Sequence, residues 1–265
     1  MSSKTGIQRS GTRETGHRIE NGHLPKAACR ERALTTVLWI ADTEQLALDH
    51  QLERMLLLLS ADEREKALRF RKREDRLRCA VGRLLIRALA SDRLGRADVP
   101  LLVSEYGKPF FAQENAVHFS LSHSGKLVVL ASGALPLGVD VEERRPLAWH
   151  ELACVFGAEE QALLETDKDP LGMFYRLWTA REAFSKEEGL GLAIFENEGA
   201  RMDYGSETVC CHGRTLCFRT WEFPEYTLSV CAEQLGEIIL CLLSSEDWKR
   251  ILICNGGSDL PKEEE

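Results

Sequence analysis

The stretch that most limits how this chain can fold is 174–192, Phe-Tyr-Arg-Leu-Trp-Thr-Ala-Arg-Glu-Ala-Phe-Ser-Lys-Glu-Glu-Gly-Leu-Gly-Leu. Phe174, Leu177, Trp178 and Phe184, with Ala180 and Ala183 between them, recur at helical spacing and make one apolar stripe. Gly189 supplies the stop expected just past a last turn. Glu182 and Lys186 are four apart, so they project from one face, one turn from each other. Taken alone, such a pair reads as a surface ion pair. A second acidic cluster, Gly138-Val139-Asp140-Val141-Glu142, changes what the pair can mean.

Around that helix the chain reads as a soluble protein. At 265 residues it can hold one large domain or two small ones. A net charge of -8 gives no reason to expect nucleic acid as a partner. No apolar run approaches the length of a membrane span. Lys4, Arg9, Arg13 and Arg18 are not followed by the apolar core of a secretory signal, so a cytoplasmic location is expected. The nine cysteines form no C-x-x-C pair and have no zinc spacing, and most are expected as small core residues.

Residues 1–33 are polar and aperiodic and read as a flexible extension. A buried strand is expected over Thr35 to Ala41 and a helix over Thr43 to Leu59. Ser60 and Glu63 form a capping box opening a helix toward Phe70, and another helix covers Arg73 to Ser91. From Arg64 to Arg96 there are twelve basic residues against four acidic ones, either a solvated face or a local phosphate-binding surface. Residues 117–131 read as a hairpin and Leu137 to Glu142 as a strand. After Gly191 the pattern is mostly β, with strands ending at Glu237 to Leu243. Helices then a hairpin, followed by helices then strands, indicate an α+β protein with two similarly built halves meeting near 132–137. The expected units are 34–135, 136–245 carrying the metal site, and a C-terminal helix and tail over 246–265.

Asp140 and Glu142 are two apart in a strand, so both carboxylates face one side while Val139 and Val141 face the other. Alone, that pattern also describes solvated acids at a strand end. Joined by Glu182, it makes three oxygen donors for a hard cation such as Mg²⁺ or Mn²⁺. His123 lies in a turn among Ser122, Ser124 and Gly125, small residues that let a ligand approach the backbone. Lys108 sits in a Gly-Lys-Pro turn, where it is either an exposed lysine or a point charge for phosphate. Nucleotide-binding glycine loops, the H-E-x-x-H zinc motif and the G-x-S-x-G elbow are absent from the sequence.

Four motifs in order carry a resemblance: Tyr106-Gly107-Lys108-Pro109, Phe119-Ser120-Leu121-Ser122-His123-Ser124-Gly125, Gly138-Val139-Asp140-Val141-Glu142-Glu143, and Trp178-Thr179-Ala180-Arg181-Glu182-Ala183-Phe184-Ser185-Lys186. Together they resemble the 4'-phosphopantetheinyl transferases of the surfactin-synthetase-activating type, over about residues 35 to 245. The resemblance implies a pseudo-dimer of two α+β halves with the site in the cleft between them. It implies transfer of the phosphopantetheine arm from coenzyme A to a serine of an apo acyl or peptidyl carrier protein, releasing adenosine 3',5'-bisphosphate. A cytoplasmic monomer with neither nucleic acid nor membrane as partner is expected. By the same resemblance Asp140, Glu142 and Glu182 hold Mg²⁺, and Glu182 and Lys186 are catalytic. Lys66, Arg78, Lys108, Ser122, His123, Arg181 and Lys186 would contact coenzyme A. The family often has lysine where Arg181 stands, and some members have a basic residue where Glu63 stands. A Mg²⁺-dependent phosphohydrolase and a silent coenzyme A-binding protein remain the alternatives.

Overall fold

The computed structural model describes residues 17–21, 34–112, 117–197 and 199–256. Two sheets stacked face to face form its centre. The first runs in the order β1 (His17–Asn21), β12 (Ile238–Leu242), β2 (Thr36–Asp42), β6 (Leu127–Gly133), β5 (His118–Ser124). The second runs β7 (Leu137–Glu143), β11 (Tyr226–Ala232), β10 (Arg214–Glu222), β9 (Thr208–Cys211), β8 (Arg201–Asp203). A separate hairpin pairs β3 (Leu101–Val103) with β4 (Pro109–Phe111). Mixed helices and sheets in two halves are the α+β architecture the element order predicts.

Each strand's period of two divides its side chains between layers. Leu38 and Ile40 of β2, Val129 and Ala131 of β6, and Val139 and Val141 of β7 fill the space between the sheets. Val37 and Trp39 of β2, with Val128 and Leu130 of β6, face the opposite way. They meet α1 (Leu52–Leu58), α2 (Ala61–Leu68), α3 (Arg73–Leu94) and α8 (Ser245–Cys254). On the far side of the second sheet lies α6 (Pro170–Glu188), after the shorter α4 (Trp149–Leu152) and α5 (Ala158–Thr166) and before α7 (Ile194–Asn197). Ala180, Ala183 and Phe184 of α6 pack on Val209, Leu216, Phe218 and Cys231 of that sheet.

Local signals set the helix ends. Asp169 accepts the Gly172 N–H at 3.0 Å, Pro170 opens α6, and Gly189 ends it in the left-handed region at φ 73°. The Ser60–Glu63 capping box is formed on α2. The continuous helix expected over Thr43 to Leu59 is not: Asp42 Oδ1 accepts the N–H groups of Glu44 and Gln45, each at 3.0 Å, which favours a turn. Ala47 then adopts φ 50°, and only a 3₁₀ turn and α1 follow.

Three further expectations are corrected. The segment near 238 belongs to the first sheet, where β12 pairs in parallel with both β1 and β2. It is apolar on both faces: Ile238 and Leu240 enter the space between the sheets while Cys241 faces the helices, as suits an inner strand. Within the extension expected to be flexible, His17–Asn21 forms β1, because β12 presents unpaired backbone groups along its other edge. The remainder of 1–33 lies outside the described residues. Among the eight described cysteines only Cys211, Cys231 and Cys241 are buried.

One glycine decides how closely α6 approaches its sheet. A Cβ at Gly138 would overlap the Ala183 carbonyl oxygen and the Glu187 amide nitrogen, both backbone atoms that cannot turn aside. Gly138→Ala is expected to cost ~3 kcal/mol, the upper end of overpacking. In a thermal melt that is a drop of about 6–12 °C.

Candidate functional site

The site forms where the first sheet's end strand meets the second's. β5 closes one sheet and β7 the other, so neither has a backbone partner on its facing side. Alternate serines of β5 fill that seam. Ser120 Oγ accepts the Val139 N–H at 3.1 Å, Ser122 Oγ the Val141 N–H at 3.3 Å, and Ser124 Oγ the Glu143 N–H at 3.1 Å. Two of the hydroxyls also reach carboxylates. Ser122 donates to Asp140 Oδ1 at 2.8 Å and Ser124 donates to Glu142 Oε2 at 2.7 Å.

The helix α6 brings the remaining groups. Lys186 Nζ lies 2.6 Å from Asp140 Oδ1 and donates to Ser122 Oγ at 3.1 Å. Asp140 is 2% exposed, and its other oxygen, Oδ2, is buried without a hydrogen-bond partner. Burial raises the pKa of Glu142, and the negative charges of Asp140 and Glu182 raise it further. Burial likewise raises Glu182, with Asp140 adding to the effect and Lys186 opposing it. The three carboxylates are therefore near enough to act on one another electrostatically.

Two family profiles match adjoining stretches of the chain. The one described as 4'-phosphopantetheinyl transferase, N-terminal, covers residues 46–135, and that of the 4'-phosphopantetheinyl transferase superfamily covers 136–231. The chain is 35% identical over 189 residues to the 4'-phosphopantetheinyl transferase ffp of Bacillus subtilis, spanning 68% of this chain and 84% of the relative. It is 33% identical, with the same coverage, to the transferase Sfp of Bacillus subtilis strain 168. The chain belongs to the 4'-phosphopantetheinyl transferase superfamily. A further relative is the 4'-phosphopantetheinyl transferase HetI of Nostoc, 32% identical over 158 residues, or 56% of this chain and 67% of the relative.

For a phosphopantetheinyl transferase, the donor set suits a hard cation: three carboxylates, one with an orphaned buried oxygen. Among the described residues, however, no three His, Cys, Asp or Glu side chains already stand as a metal-binding cluster. The Lys186 ammonium lies against Asp140, and Glu142 turns one oxygen to Ser124.

The other expected contacts divide. Arg78 Nη1 donates to the Gly125 carbonyl at 2.6 Å and pairs with Asp75, bracing the turn beside the site. His123 keeps an exposed surface, yet the protein around its ring and the positive charge of Arg78 hold its pKa below the ordinary histidine value. Lys66 lines a separate hollow of about 360 Å³ with Arg83, Arg87, Val99 and Phe111. Lys108 Nζ is committed to the carbonyls of Leu137 at 3.2 Å and Glu187 at 2.9 Å, and burial lowers its pKa.

Arg181 is the clear correction to the expected coenzyme A contacts. It is 7% exposed, donates to the Val155 carbonyl, and lies 3.4 Å from Glu160. Its guanidinium stacks 3.9 Å from the Phe195 ring centre. Successive helical residues diverge by about 100°. With Glu182 turned toward the acids, Arg181 is carried into the packing beside them.

Sequence reasoning passed over Ser120 and Ser124, although serine at every second position of one strand marks a polar stripe in an apolar sheet. It also passed over Glu187. That carboxyl's side chain is 2% exposed, Oε2 has no partner, and Glu188, Arg214, Glu233, Lys108 and Cys231 surround the region. Burial and then Glu188 push its pKa to about 7, from an ordinary 4.5. A raised folded pKa contributes stability that is fully present below about 4.5 and lost as pH rises through about 7. Stability measured by denaturant unfolding should therefore fall between pH 5 and about 8. Glu187→Gln should flatten that profile and leave the protein more stable than wild type at the alkaline end.

Proposed function

We propose that this protein transfers the 4'-phosphopantetheine arm of coenzyme A to a serine hydroxyl of an acyl or peptidyl carrier protein, releasing adenosine 3',5'-bisphosphate. The observation that carries the reading is Asp140: a buried acid with one oxygen unpartnered, facing Lys186 and within electrostatic reach of Glu142 and Glu182. Asp140, Glu142 and Glu182 would hold Mg²⁺, which would neutralise charge on the coenzyme A diphosphate. Small adjustments of Lys186 and Glu142 would draw the three acids together.

The chain's own residues then perform the transfer. Glu182 takes the proton of the carrier serine hydroxyl, directly or through a bound water. The freed oxygen attacks the pantetheine-bearing phosphorus, and the bond from that phosphorus to the bridging oxygen breaks. Charge accumulates on the departing nucleotide phosphate, where Lys186 supplies a compensating ammonium. His123 and Arg78 form the wall on the β5–β6 turn side, suited to an anionic part of coenzyme A. Lys66 and Arg83, in the hollow that also holds Asp62, Glu63 and Asp98, would meet its phosphate-bearing nucleoside end. Location in the cytoplasm and action as a monomer belong to the same proposal. Among the described residues no helix is long and apolar enough to cross a membrane.

Mass spectrometry of an apo carrier protein incubated with the enzyme, coenzyme A and Mg²⁺ tests this directly. A gain equal to the phosphopantetheine arm is expected with at least one of several carriers. Release of nucleotide without carrier modification would favour a phosphohydrolase instead. Asp140→Ala should lower kcat/KM by at least 10²-fold, a loss of ~3 kcal/mol of transition-state stabilisation. Wild-type turnover in that variant would remove the acid cluster from the mechanism.

A further inference from the structure

The seam between the sheets does more than hold them together. Ser120, Ser122 and Ser124 each accept a backbone N–H from β7, so all three contribute equally to the backbone match. They differ in where the hydroxyl hydrogen goes. Ser122 sends it to Asp140 and Ser124 to Glu142, while Ser120 bonds no carboxylate. Glu142 lies at the half-buried end of β7, where a carboxylate without a partner would sample several rotamers. The Ser124 hydroxyl at 2.7 Å restricts it by occupying Oε2. With that oxygen engaged, Oε1 is the one left to serve as a donor.

We propose that Ser124 is a positioning residue for Glu142: contributed by the first half of the molecule, it orients an acid of the second half for cation binding. The proposal rests on the metal-binding reading above. It makes the acid cluster a property of the assembled seam, since the hydroxyl and the carboxylate arrive from different sheets. Hydrogen bonds of this outer kind govern affinity by fixing ligand direction before the ion arrives.

The test uses the full chain and Mn²⁺ alone, with free Mn²⁺ read by electron paramagnetic resonance in the absence of coenzyme A and carrier. Wild type should bind Mn²⁺ and Asp140→Asn should abolish the binding. Ser124→Ala should weaken it by on the order of tenfold. Ser120→Ala removes an equivalent backbone bond without touching an acid, so it should lower the melting temperature while leaving Mn²⁺ affinity unchanged. Equal affinity of wild type and Ser124→Ala would overturn the positioning role while leaving the metal reading intact. Equal weakening by Ser120→Ala and Ser124→Ala would overturn it too, because a general seam effect would then suffice. Absence of Mn²⁺ binding in wild type, or binding that survives Asp140→Asn, would overturn the metal reading and this proposal with it.

Discussion

The structure depends on hydroxyls doing, at the seam, what a neighbouring strand does elsewhere. β7 has β11 on one side only, and the N–H groups of Val139, Val141 and Glu143 face away from it. Buried backbone donors need partners, and each one left unmade costs about 1–3 kcal/mol. Serine oxygens at 120, 122 and 124 provide them at matching two-residue intervals. The register follows from this: a slip of one residue would turn Phe119, Leu121 and His123 toward β7 and leave its donors bare. The acids inherit their placement from the same register, since Asp140 and Glu142 alternate with the bonded amides.

The helix α6 depends on that seam in turn. Gly138 lets its backbone rest on β7 at the level of Ala183, and Thr179 Oγ1 lies 2.8 Å from Ser229 Oγ of β11. Ser229 in turn lies 2.7 Å from Thr220 Oγ1 of β10, so a chain of hydroxyls crosses from helix to sheet. Each such bond contributes about 1 kcal/mol net, less than the burial of Phe184, yet it is directional and resists rotation of the helix. Rotation is what the site cannot tolerate, because Glu182 and Lys186 reach the acids only from one face. The close approach also submerges Glu187 in the same turn. Lys108 ties that turn to the start of β7 through the carbonyls of Glu187 and Leu137.

Much of this was legible beforehand, and the illegible part has a common cause. The α+β order, the 117–131 hairpin and both ends of α6 follow from signals within a few residues, such as Asp169-Pro170 and Gly189. Strand periodicity likewise separates Val139 and Val141 from Asp140 and Glu142. What periodicity does not specify is a partner. Residues 238–242 read as a strand from their composition, but their place between β1 and β2 depends on the opposite end of the chain. Arg181 and Glu182 are equally polar neighbours on one helix. Only Phe156, Phe195 and Glu160, from separate elements, decide that the arginine turns inward. Lys108 presents the same difficulty: a lysine in a turn looks free until the carbonyls that capture it are in place.

The charge arrangement at Asp140 then explains why an acid this deep is compatible with a stable fold before any ligand arrives. A buried carboxylate stripped of its partner costs about 3–5 kcal/mol. Here Oδ1 is satisfied twice, by Ser122 and by the Lys186 ammonium, while Oδ2 has no bond. The lysine thus serves as a resident counter-ion. Its side chain is 31% exposed against 4% for the aspartate, so the ammonium is open to solvent on one side. A cation entering at Oδ2 would weaken the attraction that holds the ammonium to Oδ1. Lys186 would then be free to swing toward an incoming diphosphate without Asp140 ever being left uncompensated. The same exchange would draw on Glu142, held by Ser124 through Oε2, which ties the resting ion pair, the seam hydroxyls and the proposed transfer chemistry into one electrostatic arrangement.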